Sequence, residues 1–104
     1  MKLKHTMGIL ITYDLVEKHE VIKTAMIQMG YSKVLKWQTT LIYLPNTALY
    51  HESSTPQQAI ADLKTACAKV GLYEGPGLER AFAVTFDNIN DYTWEAIPGK
   101  PFGS

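Results

Sequence analysis

Asp14 is the side chain whose type and position make it the first candidate for chemistry. It lies at the end of "GILITYDL", residues 8–15, an apolar and β-branched run that reads as a buried strand. An amphipathic helical pattern follows almost at once. A half-solvated carboxylate there is the type of ligand a hard cation such as magnesium takes. One carboxylate makes a poor site by itself, but a two-fold dimer would supply a second copy. The same residue also suits a turn, or the acidic first turn of a helix. Both readings stay open from sequence. His19 lies about a helical turn further on and is either an acid-base partner for Asp14 or a solvated helix residue.

A second set of residues is "KVLKWQ", residues 33–38. Trp37 has the flat face on which a base stacks, while Lys33 and Lys36 are suited to phosphates. Strand alternation puts Lys33, Leu35 and Trp37 on one face and Lys36 on the other. The competing reading makes Trp37 core and the lysines protection for a sheet edge. The three histidines, His5, His19 and His51, have no compact metal-ligand spacing. The single cysteine, Cys67, excludes an internal disulfide and a multi-cysteine zinc site. Its place on an apolar helical stripe predicts a buried thiol. "YEGPG" has the glycines of a turn, not of a phosphate loop.

The elements that must position these residues follow from periodicity. Residues 8–15 form the first strand, and a helix runs from about Glu17 to Met29 with Val21, Ile22, Ala25, Met26 and Met29 on one face. Gly30 stands where a left-handed helix stop is needed. "YSKVLKWQTTLIYLP" is too long for one ordinary strand, and its polar "QTT" divides it into strands at about 33–37 and 40–44. Pro45 and Asn46 end the second, and "NTALYHESS" reads as a polar loop. In "TPQQ", Thr55 caps a helix, Pro56 fits its first position and Gln58 can complete a capping box. That helix runs to about Val70, with Ala59, Ile60, Leu63, Ala66, Cys67 and Val70 inward and Gly71 closing it. "RAFAVTFDN" is the last clear core strand.

This order predicts an α+β fold: a two-layer ferredoxin-like sandwich, βαββαβ. Its four-stranded antiparallel sheet carries both helices on one face, and right-handed crossovers put strands one and three in the middle. The expected organisation is a flexible tail over residues 1–7, the domain over 8–88, and a C-terminal edge strand or tail over 89–104. Tyr92, Trp94 and Ile97 are large apolar groups outside the four-strand core and are the expected partner-binding residues.

Bulk composition narrows the function. The chain of 104 residues is one domain, 46% hydrophobic and 19% charged, which is enough to bury a core. A core this small gains from self-association. Ten basic and ten acidic side chains give zero formal charge, which argues against a protein that coats nucleic acid by bulk electrostatics. The longest apolar run, near Met7 to Ile11, is too short to span a bilayer, and no signal-peptide cleavage site accompanies it. A cytoplasmic protein without membrane contact is expected.

A strand ending in "YDL", an amphipathic helix and an aromatic strand with "QTT" together resemble the small ferredoxin-like nuclease superfamily. That group includes the smaller CRISPR adaptation subunit and the VapD-type toxins. Tyr13 and Asp14 match the tyrosine-aspartate pair that closes the adaptation subunits' first strand. Gln38 and Thr40 match the Gln-x-Ser/Thr segment that opens their third. The resemblance covers residues 8–86 by order of elements and these few positions by identity. It implies a homodimer with paired aspartates near the interface, and a phage- or defence-related setting. For some members it implies magnesium-dependent cleavage of RNA or DNA; others only bind nucleic acid or a protein. Lys33 and Lys36 replace the arginines that members often place before the Gln motif. The expected function is therefore a homodimeric binding or regulatory module contacting nucleic acid through Lys33, Lys36, Trp37, Gln38 and Thr40, without a cofactor. The alternative is a magnesium-dependent endonuclease using Asp14 paired across a dimer. A third reading is a small-molecule-binding protein that uses the open sheet face.

Overall fold

The computed structural model of the protein describes residues 7–37 and 39–85. The elements run β1 (Met7–Leu15), α1 (His19–Gln28), β2 (Val34–Trp37), β3 (Thr40–Tyr43), β4 (Ala48–Ser54), α2 (Pro56–Ala68) and β5 (Leu78–Thr85). They make an α+β structure of two helices, a three-stranded antiparallel sheet in the order β4-β1-β5, and a separate β2-β3 hairpin. Among these residues no helix is long and apolar enough to cross a membrane.

β1 is central because its alternate residues are apolar and both its edges are paired. Ile9, Ile11, Tyr13 and Leu15 point to the helical layer, where they meet Ile22 and Met26 of α1, Leu49 of β4, and Leu63 and Cys67 of α2. Cys67 is fully buried, as its stripe predicts, and burial pushes its thiol's pKa up. Met7, expected in the N-terminal tail, belongs to β1 and pairs with Ser54; residues 1–6 lie outside the described residues. α2 starts as its sequence predicts: Thr55 Oγ1 accepts from Gln58 N at 3.0 Å, with Pro56 in the first turn. The Gln58 side chain reaches forward to Asp62 Oδ1 at 2.8 Å, and so does not close the predicted capping box. α1 starts two residues later than expected. Lys18 precedes it in the left-handed conformation (φ 63°) with no side-chain cap.

The main correction concerns the third strand of the sheet. Among the described residues, 40–44, expected there, pair with β2 and not with β1, and "ALYHESS", expected as loop, lies beside β1. Leu49 supplies the buried contact, while the polar residues after it accommodate an irregularity. Met7 to Ile9 on β1 face Ser54 to His51 on β4, so β4 carries an extra residue. His51 Nδ1 accepts from Ser53 N at 3.0 Å, giving that backbone donor a partner. The predicted four-stranded sheet is thus three strands plus a hairpin. A bridge from Ser32 to Tyr50 ties the hairpin to β4, with N–H···O distances of 2.7 and 2.8 Å.

Where α1 ends, Gly30 takes φ 104°, and a Cβ there would stand 2.9 Å from His51 Nε2. The chain then delivers Tyr31, whose ring meets the His51 imidazole edge-on at 4.7 Å and whose hydroxyl donates to Asp62 Oδ2 at 2.9 Å. Burial, reinforced by that hydrogen bond, raises the Tyr31 pKa.

Two predictions follow from this packing. Gly30→Ala costs about 1–2 kcal/mol from the left-handed backbone alone, plus the clash with His51. In denaturant unfolding, Gly30→Ala combined with His51→Ala recovers only the steric share. The Tyr13 hydroxyl is buried with no hydrogen-bond partner among the described residues. Burial, then Cys67 and Glu20, raise its pKa from 10.0 to about 12. The folded state therefore prefers the neutral phenol, and that stability is complete below pH 10 and lost as pH rises through about 12. Tyr13→Phe stabilises the protein by about 1 kcal/mol and flattens this alkaline loss, as read from melting curves against pH.

Candidate functional site

The sheet has one covered face and one open one, and Asp14 projects on the open side. Leu10, Thr12 and Asp14 alternate with the core residues of β1, and they face Val84, Phe82 and Arg80 of β5 in register. Between Asp14 and Leu15 the register slips: Leu15 faces Leu78 and Asp14 faces Arg80, so Glu79 is the extra residue of a bulge. Bulges re-aim neighbouring side chains. Here Arg80 Nη1 donates to Asp14 Oδ2 at 2.5 Å. The pair is largely exposed, with side-chain accessibilities of 46% for Asp14 and 73% for Arg80. Over it lies a shallow cleft of about 260 Å³, whose walls include Thr12, Thr47 and Phe82.

Asp14 is accordingly neither a helix cap nor a turn former. It is a strand residue five positions before the first residue of α1, and its partner is a guanidinium that sequence reasoning missed. The signal for Arg80 was only that it opens the "RAFAV" strand; pairing it with Asp14 requires the β1-β5 register. Among the described residues no group of three His, Cys, Asp or Glu side chains is placed to hold a metal ion. His19 stands at the first position of α1, half-buried, and makes no hydrogen bond or ion pair with Asp14. Tyr13, the other half of the "YD" pair, points into the core.

The residues expected to touch nucleic acid lie elsewhere. Lys33 is half-buried at the base of the hairpin, where its carbonyl accepts from Leu44 N at 2.9 Å. Its charge and, more strongly, burial lower the pKa of Lys23, which Glu20 opposes; the Lys23 ammonium donates to Asn46 Oδ1. Lys36 is exposed opposite Leu41, and Trp37 pairs with the exposed Thr40 near the hairpin tip. The hairpin hangs from β4, while Asp14 sits between β4 and β5 on β1; among the described residues the cleft at Asp14 includes none of Lys33, Lys36 and Thr40. A separate cleft of about 530 Å³ opens between hairpin and β4, with Val34 and Lys36 on one wall and His51 and Glu52 on the other. Ser32 also lines it, its Oγ accepting from Val34 N at 3.0 Å and donating to Val34 O at 2.9 Å. Gln38, His5, Tyr92, Trp94 and Ile97 lie outside the described residues.

An ion pair this exposed contributes little to stability. Asp14→Asn and Arg80→Gln each shift unfolding by less than about 1 kcal/mol, and a double-mutant cycle returns a coupling of about 0.2–1 kcal/mol. A larger coupling would mean the pair is shielded from water in solution. The chain matches no protein-family model, no curated protein and no solved structure.

Proposed function

We propose that the chain is a small homodimeric binding or regulatory module of ferredoxin-like fold. It works in the cytoplasm, in a nucleic-acid or phage- or defence-related setting. One observation carries the non-catalytic part of this reading. The Asp14 carboxylate is engaged by Arg80 of its own chain, which occupies one carboxylate oxygen and sets a positive charge where a divalent cation would have to bind.

The ferredoxin-like assignment rests on order and direction. With β3 set aside as an excursion, the sequence runs strand, helix, strand, strand, helix, strand. In support, Ser32, two residues before β2, makes an isolated antiparallel bridge to Tyr50 of β4, as a spatial order β5-β1-β4-β2 would require. The likeness to the small ferredoxin-like nuclease superfamily remains a proposal on the same footing. Self-association is supported by β5, an eight-residue strand with one unpaired edge among the described residues. Tyr92, Trp94 and Ile97 follow it in sequence and are the proposed partner contacts. The exposed Lys36 and Thr40, with Lys33, Trp37 and Gln38, make the projecting hairpin the proposed arm toward nucleic acid.

The magnesium-dependent endonuclease stays as the alternative because Asp14 sits half-exposed, beside a bulge, in an open cleft. Labelled RNA and DNA incubated with the purified protein, with magnesium or with chelator, decide between them. No metal-dependent cleavage is expected. Cleavage that needs magnesium and disappears in Asp14→Asn at unchanged melting temperature would establish the enzyme instead. Light scattering is expected to give twice the chain mass, and a monomer at every concentration would remove the dimer.

A further inference from the structure

The open face of the sheet holds a combination that neither the hairpin nor a metal site explains. Phe82 is 64% exposed, more than any other large apolar side chain among the described residues, yet it sits in the middle of a paired strand. Val84 beside it is 40% exposed. Phe82 faces Thr12, and Arg80 faces Asp14. Two residues along a strand put Arg80 and Phe82 on the same face about 7 Å apart. A flat aromatic surface therefore lies next to an ion pair on a rigid backbone, at the wall of the 260 Å³ cleft.

We propose that this face is a platform for one unpaired base of a single-stranded nucleic acid, stacked on Phe82 with its polar edge against the Asp14–Arg80 pair. The inference rests on the nucleic-acid setting proposed above, and it moves the main contact from the hairpin to the sheet. Arg80 commits Nη1 to Asp14 and keeps its other N–H donors, while Asp14 Oδ1 accepts nothing among the described residues. Together they offer donors and an acceptor side by side, which complements the mixed edge of a nucleobase. A phosphate fits less well, since it would meet the Asp14 carboxylate and, on the bulge, the exposed Glu79. A chain with zero formal charge also has no bulk attraction for a phosphate backbone. Only an unpaired base presents both its face and its edge at once, so single strands are selected over duplex.

The test is fluorescence anisotropy of short labelled RNA and DNA homopolymers with the full chain, with light scattering on the same samples. Phe82→Ala is expected to weaken binding about tenfold, within the range that loss of one stacked base gives, and Phe82→Trp to retain it. Arg80→Gln alters the preference among the four homopolymers, and added salt has little effect. If Phe82→Ala binds as wild type does while Lys33→Ala or Lys36→Ala loses affinity, the platform is wrong and the module reading stands. If the wild type binds no oligonucleotide, both fail. If Phe82→Ala turns a dimer into a monomer, a second copy of the chain occupies this face and the platform is overturned.

Discussion

Strand β1 carries most of the structural load because it is paired on both edges and buried on one face. β4 and β5 flank it, and Ile9 and Ile11 reach zero accessibility under the helices. Such a strand has one workable register, since a slip of one residue would exchange its core and solvent faces. With Ile9, Ile11, Tyr13 and Leu15 committed inward, Leu10, Thr12 and Asp14 are obliged to face outward. The position of Asp14 is thus a consequence of the hydrophobic alternation of Ile9, Ile11 and Tyr13 just upstream. The same alternation forces the Tyr13 hydroxyl into an apolar layer that gives it no partner among the described residues.

Placing Asp14 does not determine what it meets. Its neighbour is decided by β5, sixty-six residues away in the chain, and by the bulge at Glu79 that brings Arg80 opposite it. The effect is chemical as well as geometric. A lone carboxylate on a strand invites a cation from solution, whereas one held by a guanidinium is part of a neutral, hydrogen-bonding surface. That surface lies beside exposed aromatic carbon, Phe82, which is the basis of the platform proposed above.

Elements governed by local patterns were legible from the residues. The helix start at Thr55 and Pro56, the left-handed Gly30, the buried Cys67 and the strand pair on either side of "QTT" all follow from short-range rules. What was not legible depended on long-range partners. "ALYHESS" lacks clean alternation because its polar half contains an irregular residue whose backbone is satisfied by His51, so it reads as loop. Conversely, residues 40–43 have a strand's composition and are a strand, but nothing local says whether they pair with β1 or only with β2. The missed Arg80 belongs to the same class, because registers between distant strands are not written in either strand alone.

The attachment of the β2-β3 hairpin through Ser32 and Tyr50 separates two kinds of evolutionary change. The core is a closed account of side chains in which a change at Ile11 must be answered at Leu49 or Leu63. The hairpin beyond Leu44 and Lys33 answers mainly to itself, apart from Ile42 on its inner side. Its length, charge and tip residues can therefore drift or be replaced wholesale while the sheet and helices stay as they are. A scaffold of this design lets descendants acquire new specificities by exchanging one arm, at a junction defined by two backbone hydrogen bonds.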